Sequence, residues 1–286
     1  MRLAELPAPL PSGPLTSVAE LIDLRQQLEG SAPMAPPTGR WAYRGQPRPF
    51  GSLMPSFQRQ FSKQSIGAAQ IIERKLLDAF RKHYANLPEI SADMPTAQQV
   101  DPQHDLRCLS VMQHYEIPTR LLDWSSNFWT SLYFACSNDP GDDAELWFYD
   151  RGIFIDQRAK SPTLEALVDK SPNPPPEPWF LDGPPDLLVE LDPQISPRMR
   201  EQFAHHTVSS NVFSDHAVLL RQLDAETGDP ARPRLHRVVI AASCKSKALQ
   251  FLDGTLDINA GTIFPDVVGL GRFLRWQFDS LRTMML

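Results

Sequence analysis

Two separated polar segments carry side chains that could bind a phosphorylated ligand. In the first segment, Arg44-Gly45 ends a short alternating stretch that contains aromatic residues. A guanidinium can bind two oxygens of a diphosphate at once, and a glycine lets the backbone approach a ligand closely. The structural alternative is a buried ion pair between Arg44 and Asp123 that shapes the core. The dipeptide alone is a weak signal, and it gains its value from the second segment.

The second segment begins with Gln113-His114-Tyr115 and continues through Arg120. His114 could contact a ligand ring and change charge near neutral pH, or it could end a helix, where a positive charge is favourable. Arg120 could reach a phosphate, although a packed salt bridge with Glu73 or Asp123 is the arrangement that we favour.

The same segment ends in Asp123-Trp124-Ser125, where a strand is predicted to meet a helix. Asp123 alternates with its apolar neighbours and should therefore face away from them. Ser125 or Ser126 could offer a hydroxyl to an anion at the helix N-terminus, or it could simply cap the helix. Trp124 is more typical of a core residue than of a stacking platform.

Glu201 and the pair His205-His206 are the remaining candidates for chemistry. A glutamate that stabilises an oxocarbenium-like centre suits glycosidic transfer, but Glu201 could equally lie on a solvated helix face. Adjacent histidines on a strand point in opposite directions, and no cysteine or carboxylate lies at ligand spacing. We therefore expect no metal site. P-loop, GxSxG and HExxH motifs are absent from the sequence.

The composition is that of an ordinary globular protein. The 286 residues are 42% hydrophobic and carry a net charge of −6, which argues against attachment to DNA or anionic lipid through bulk charge. No stretch approaches the ~18 apolar residues of a membrane span, and residues 1–14 lack the apolar core of a signal peptide. The three cysteines form neither a disulfide framework nor a CxxC site. We expect a cytoplasmic protein without a membrane partner.

Local patterns predict the elements that would position these residues. Ser17-Val18-Ala19-Glu20 is a capping box that starts a helix ending near Gly30. A nearly all-apolar stretch over 127–137 predicts a buried helix. Further helices are expected at 66–87, 101–115, 245–252 and 265–281, with a short one from 196, and strands at 40–44, 119–124, 144–150, 187–191 and 235–242. Their irregular alternation favours an α+β fold in a single domain.

Proline marks the organisation of the chain. It accounts for 28 residues, about twice the usual share of ~5%, and residues 171–186 contain seven prolines in sixteen positions. That stretch predicts a long, exposed surface loop. We divide the chain into an N-terminal lead and helix, residues 1–37, and a main domain, residues 38–286.

Two motifs resemble the FRG domain, which is named for an aromatic-Arg-Gly motif. They are the WAYRGQ stretch, residues 41–46, and the run MQHYEIPTRLLDWS, residues 112–125, followed by SLYFAC. Weaker matches extend to residue 273. Glu116 stands where the family usually has glycine, so a positive φ there would strain it. FRG domains are largely uncharacterised and often occur in mobile or defence-related bacterial contexts.

The order of elements also resembles that of ADP-ribosyltransferases. In that layout an Arg-Gly ends the first strand, a polar strand runs into an apolar helix, and a third strand region carries a catalytic carboxylate. The resemblance implies a split sheet with flanking helices and NAD as co-substrate. It implies catalytic roles for Arg44, Asp123 and Glu201, and ligand-binding roles for Tyr43, Arg44, Gly45, Gln46, His114, Thr119, Arg120 and Ser125.

The resulting hypothesis is a bacterial enzyme that transfers ADP-ribose to a protein or nucleic acid, or cleaves NAD, as a toxin or phage-defence effector. Two alternatives stay open: a non-catalytic module that binds a nucleotide or a partner in the same cleft, and an enzyme that acts on RNA. Neither the target nor the oligomeric state follows from the sequence.

Overall fold

Seven stretches of the chain are described by the computed structural model of the protein. They are residues 10–30, 35–61, 66–84, 105–159, 187–191, 197–229 and 231–285. The proline-rich loop predicted over 171–186 lies outside these residues.

The described residues contain helices and strands in an irregular order, and the fold is α+β as expected. The helices are α1 Val18–Glu29, α2 Ile66–Tyr84, α3 Asp105–His114, α4 Phe128–Cys136, α5 Gly152–Ala159, α6 Pro197–Glu201, α7 His216–Thr227, α8 Ala242–Leu256, α9 Ala260–Ile263 and α10 Val267–Met285. The strands are β1 Trp41–Gln46, β2 Leu121–Ser125, β3 Ala144–Asp150, β4 Leu188–Leu191, β5 Ala204–Ser209 and β6 Leu235–Ile240. None of these helices is both long and apolar enough to cross a membrane.

The six strands form one antiparallel sheet in the order β4-β5-β2-β1-β3-β6. Its two halves, β4-β5-β2 and β1-β3-β6, join weakly. Strands β1 and β2 pair only at Tyr43 and Ser125, whereas β1 pairs with β3 along its whole length and β2 does so with β5. The sheet is therefore continuous, but its pairing is weakest between β1 and β2, a boundary that we call the seam.

Helices cover the two halves separately on one face. On the β1-β3-β6 half, Tyr43 and Phe148 pack with Leu132 of α4 and with α1 and α8. On the β4-β5-β2 half, Leu121 and Val208 pack with α2 and α3. The opposite face is continuous, because α5 and α7 pack across Trp124 of one half and across Trp147 and Tyr149 of the other. The helix layer is thus divided at the position where the pairing of the strands is weakest.

Helix α4 is buried, which confirms the prediction from its apolar sequence. Leu132 is fully buried and Phe134 is half-buried. The predicted cap is wrong: the side chain of Asn127, and not that of Ser125 or Ser126, accepts the N–H of Trp129 at 2.9 Å. Asn127 occupies the cap because β2 continues through Ser125.

The sequence signals that predict the start and the end of α1 are confirmed. The Ser17–Glu20 capping box is present, and α1 ends at Gly30 with a φ of 62°. Glu116 has a φ of 60°, so its backbone adopts the left-handed conformation that favours glycine, the residue usual at this position in FRG domains. Strand β5 and helices α5, α7 and α9 are absent from the sequence-based prediction.

Arg120 and Glu73 form a buried ion pair that joins α2 to the sheet, which is one of the two salt bridges that we favoured from the sequence. Both residues are almost completely buried. The guanidinium donates to both carboxylate oxygens of Glu73 and to the backbone oxygens of Ser209 and Ser210. Because all these partners are internal, Arg120 is a structural residue.

Gly45 is required for the contact between β1 and α4. A Cβ atom at this position would lie 2.0 Å from the backbone oxygen of Ser131 and 2.5 Å from the backbone nitrogen of Ala135. The close approach that the structure shows at Gly45 is to a helix, and the approach to a ligand expected from the sequence stays a prediction.

We expect Gly45→Ala to lower the free energy of unfolding by about 3 kcal/mol, at the upper end of overpacking effects, because the clashing atoms belong to the backbone. Urea denaturation of the purified variant measures this. Gly254→Ala is the matched control, since nothing lies within 4 Å of the added Cβ in α8. Replacing a helical glycine should stabilise by up to ~1 kcal/mol. Equal stability of the Gly45→Ala variant and the wild type would contradict the packing role.

Candidate functional site

A polar cleft of about 270 Å³ opens at the seam between the two half-sheets. It is bounded by β1, β2 and β5, by the end of α3, and by α4 and α6. Six of the residues expected from the sequence line it: Tyr43, Arg44, Gly45, His114, Asp123 and Ser125. Its further lining residues include Gln113, Arg198, Gln202 and His206, which were not singled out as site residues.

Asp123 supplies a half-exposed carboxylate to this cleft. Gln113 Nε2 donates to its Oδ2 at 2.8 Å, and His206 Nδ1 lies 3.0 Å from its Oδ1. Burial raises the pKa of Asp123, but the contact with the His206 ring, the positive charge of Arg44 and the hydrogen bond from Gln113 outweigh that effect and leave the pKa below its usual value. Asp123 is therefore ionised at neutral pH.

Gln113 is itself held in place by Thr119. The Thr119 hydroxyl donates to Gln113 Oε1 at 2.6 Å and accepts the N–H of Leu121. Thr119 is fully buried and does not line the cleft. It orients the amide that donates to Asp123, so it acts on the cleft only through Gln113.

His206 faces Asp123 across the β2–β5 pair, where the two residues are direct partners in the register. Its ring is buried, and within the described residues neither ring nitrogen has a partner with good hydrogen-bond geometry. His205 points the other way, with Nε2 3.5 Å from Glu190 Oε1. In the described part of the chain, no cluster of three or more ligand-type side chains is arranged to hold a metal ion.

Arg44 bridges the seam. Its Nη1 donates to the backbone oxygen of Asp123 at 2.7 Å, which joins β1 to β2 beyond their one paired position. Burial lowers the pKa of Arg44 to about 10, and the negative charge of Asp123 opposes this shift. The guanidinium remains positively charged at neutral pH, and the contact is to the main chain of Asp123 rather than to its carboxylate.

Ser125 lines the cleft but is engaged internally. Its hydroxyl donates to the backbone oxygen of Gln202 at 2.6 Å and accepts the N–H of Asn127 at 3.0 Å. It joins the end of β2 to the start of α4 and to the segment that follows α6.

Four predicted residues direct their side chains elsewhere. The Tyr43 hydroxyl donates to Glu29 at 2.6 Å within the core, and Gln46 Nε2 donates to the backbone oxygen of Ser52. Arg120 is engaged with Glu73, as described above. Glu201 is exposed and does not line the cleft. Asp123 is therefore the carboxylate of the described residues that lines it.

His114 and Arg198 also line the cleft. His114 is half-buried; burial lowers its pKa, the positive charge of Arg198 lowers it further, and Asp266 opposes the shift. Arg198 extends from α6, with Nη2 3.9 Å from the Glu116 carboxylate. The cleft thus combines an ionised carboxylate with a nearby cation and a largely neutral imidazole.

Sequence reasoning missed His206 as a partner of Asp123 because only the pairing of β2 with β5 brings them together. Gln113 and Arg198 lie within the segments that resemble the FRG domain. The resemblance therefore pointed to these segments, but it did not indicate that Gln113 and Arg198 line the cleft.

Residues 39–144 match the family model of the FRG domain. No curated protein and no solved structure matches the chain. The matched region contributes Arg44, Gln113 and Asp123 to the cleft, whereas Arg198 and His206 come from beyond it.

We expect Arg44→Lys to reduce stability by about 1–3 kcal/mol, because an ammonium cannot reproduce the planar donor set that bridges the seam. Urea denaturation tests this. The control Arg48→Lys alters a side chain that is half-exposed and pairs at the surface, and it should change stability by less than ~0.5 kcal/mol. If both variants unfold alike, Arg44 does not hold the half-sheets together.

His216 should make the fold sensitive to acid. Burial, together with the positive charges of Arg44 and Arg120, lowers the pKa of His216 to about 3. Below its usual pKa of about 6.5 the unfolded chain binds a proton that the folded chain excludes, so stability falls with decreasing pH by up to about 1.4 kcal/mol per unit.

The comparison with His216→Asn isolates this effect. The asparagine keeps a polar group near the Thr207 hydroxyl, which lies 2.8 Å from His216 Nδ1, but it does not titrate. The variant's free energy of unfolding should depend less steeply on pH between about 4 and 6.5. Parallel wild-type and variant curves from denaturation at several pH values would rule His216 out as the source.

Proposed function

We propose that this protein, which carries an FRG domain, binds NAD⁺ in the cleft and transfers its ADP-ribose group to a macromolecule or to water. The observation that carries this proposal is the position of Asp123. It is an ionised, half-exposed carboxylate that lines the cleft beside the β1–β2 seam, fixed by Gln113 on one side and close to His206 on the other.

The chemistry of glycosidic transfer suits such a group. The bond between C1′ of the ribose and the nicotinamide nitrogen breaks, and nicotinamide leaves with the bonding electrons. Positive charge develops at C1′ and the ring oxygen, and a fixed carboxylate stabilises it without reorganisation. The acceptor then forms a bond to C1′ and releases its proton to solvent.

The low pKa of Asp123 supports an electrostatic role over general-base catalysis. A general base works best with a pKa near the working pH, whereas the pKa of Asp123 lies below its usual value. A permanently ionised carboxylate instead provides constant stabilisation of the oxocarbenium-like centre.

Rigidity of this carboxylate also supports the proposal. Arg44 holds the Asp123 backbone from β1, and the chain of hydrogen bonds from Thr119 through Gln113 holds its side chain. Electrostatic stabilisation depends on such preorganisation. In this proposal Arg44 and Thr119 are positioning residues, and Asp123 is the catalytic residue.

The macromolecular acceptor and a role as a toxin or defence effector stay predictions that rest on the family resemblance. A non-catalytic nucleotide-binding module is the second candidate. The exposed position of Glu201 favours the binding module. The sequence implied two catalytic carboxylates, Asp123 and Glu201, but among the described residues Asp123 is the one carboxylate that lines the cleft.

We expect the purified protein to release nicotinamide from NAD⁺, and Asp123→Asn to reduce that rate by at least about 10²-fold, since preorganised electrostatic groups contribute effects of this size. Chromatographic detection of nicotinamide measures the rate. Asp23→Asn, an exposed carboxylate of α1, is the control and should retain full activity.

Two results would contradict the assignment. If the wild type binds NAD⁺ and releases no nicotinamide, the binding-module alternative holds. If Glu201→Gln abolishes the release while Asp123→Asn does not, the catalytic carboxylate is Glu201. Circular dichroism of each variant ensures that the comparison is made between folded proteins.

A further inference from the structure

A second chamber of about 560 Å³ adjoins the polar cleft. It lies among α4, α8, α9 and α10. Phe134, Asn138 and Arg198 line both cavities, so they form a common wall. A ligand that passes Arg198 can therefore occupy both spaces at once.

The polar cleft is too small to hold a whole dinucleotide. Its volume of about 270 Å³ is below the ~300–1,000 Å³ of typical small-molecule sites, and NAD⁺ contains two nucleosides joined by a diphosphate. With the nicotinamide riboside at Asp123, the other half needs space beyond the cleft. We propose that the second chamber binds the adenosine diphosphate half of NAD⁺, an inference that rests on the proposed function.

Two arginines provide the chamber's affinity for the diphosphate. The guanidinium of Arg198 lies 4.5 Å from the centre of the Phe264 ring, and that of Arg272 lies 4.9 Å from the same ring. Within the described residues no carboxylate lies within 4.0 Å of Arg272, and the nearest to Arg198 is 3.9 Å away. Both guanidinium groups can therefore bind a phosphate oxygen without first breaking a close ion pair.

Aromatic side chains provide surfaces for a purine. Phe273 and Trp276 of α10 are nearly parallel, with an interplanar angle of 20° and ring centres 6.4 Å apart, and both are half-buried at the chamber. A purine ring can stack on such an aromatic face, because both carry a π-system. The aromatic lining therefore favours a nucleotide over an inorganic anion.

The chamber's acidic groups point to the same ligand class. Asp253 and Glu116 line it together with the two arginines, so its charge is balanced. Asp253 Oδ1 accepts a hydrogen bond from Asn259 at 2.9 Å, which leaves its other oxygen for a donor. A ribose diol supplies such donors, which an inorganic phosphate or diphosphate lacks.

Titration of the full-length protein with ADP by calorimetry tests the proposal. ADP should bind the wild type, and Arg272→Gln should weaken that binding at least tenfold through the loss of a charge-assisted contact. Arg275→Gln is the matched control: Arg275 is exposed on the same helix and does not line the chamber. It should bind ADP as the wild type does.

The outcomes separate this inference from the proposed function. ADP binding that depends on Arg272 and persists in Asp123→Asn supports the chamber, even if no nicotinamide is released and the proposed reaction fails. Absence of ADP binding, or equal binding by Arg272→Gln, overturns the inference. With an active enzyme, Arg272→Gln should raise the KM for NAD⁺ about tenfold and leave kcat nearly unchanged; an unchanged KM also overturns it.

Discussion

The contact of Arg44 with the backbone of Asp123 spans the seam on which the rest of the site depends. Strands that separate leave N–H and C=O groups without ladder partners, and such groups are costly to bury. Here β1 and β2 pair at one position, and the guanidinium supplies a donor just beyond it. Arg44 keeps its charge despite burial, so a strong donor replaces a missing ladder bond and the two half-sheets keep a fixed relation.

The cleft follows from that seam. Helices α1, α4 and α8 cover one half-sheet, while α2 and α3 cover the other, so the covering layer divides where the strands do. Polar side chains from β2 and from the end of α3 consequently meet at a partly solvated position rather than in the core. Asp123 combines exposure with tight positioning, because its partners Gln113 and His206 are held by neighbouring buried elements.

Much of the fold follows from local signals. The capping box of α1, the apolar run of α4 and the strand over 144–150 were predicted because propensity and burial agree there. Strand β5 was not, since its sequence AHHTVS is rich in polar residues that are nevertheless buried. Those side chains are stabilised by partners on other elements, such as His216 against Thr207, and no local pattern reports them.

The sequence by itself determined which residues could do chemistry, because the polar residues of the two motifs stand out against apolar neighbours. It also determined the α+β class and indicated a packed salt bridge for Arg120, while the structure decided between the two possible partners in favour of Glu73. Only the tertiary structure decided the roles: Gly45 packs against α4, Arg44 bridges a seam, Tyr43 belongs to the core, and His206 faces Asp123. Side-chain roles depend on strand register and on which helix covers each half-sheet. Those are long-range pairings, and residue type and spacing along one chain do not specify them.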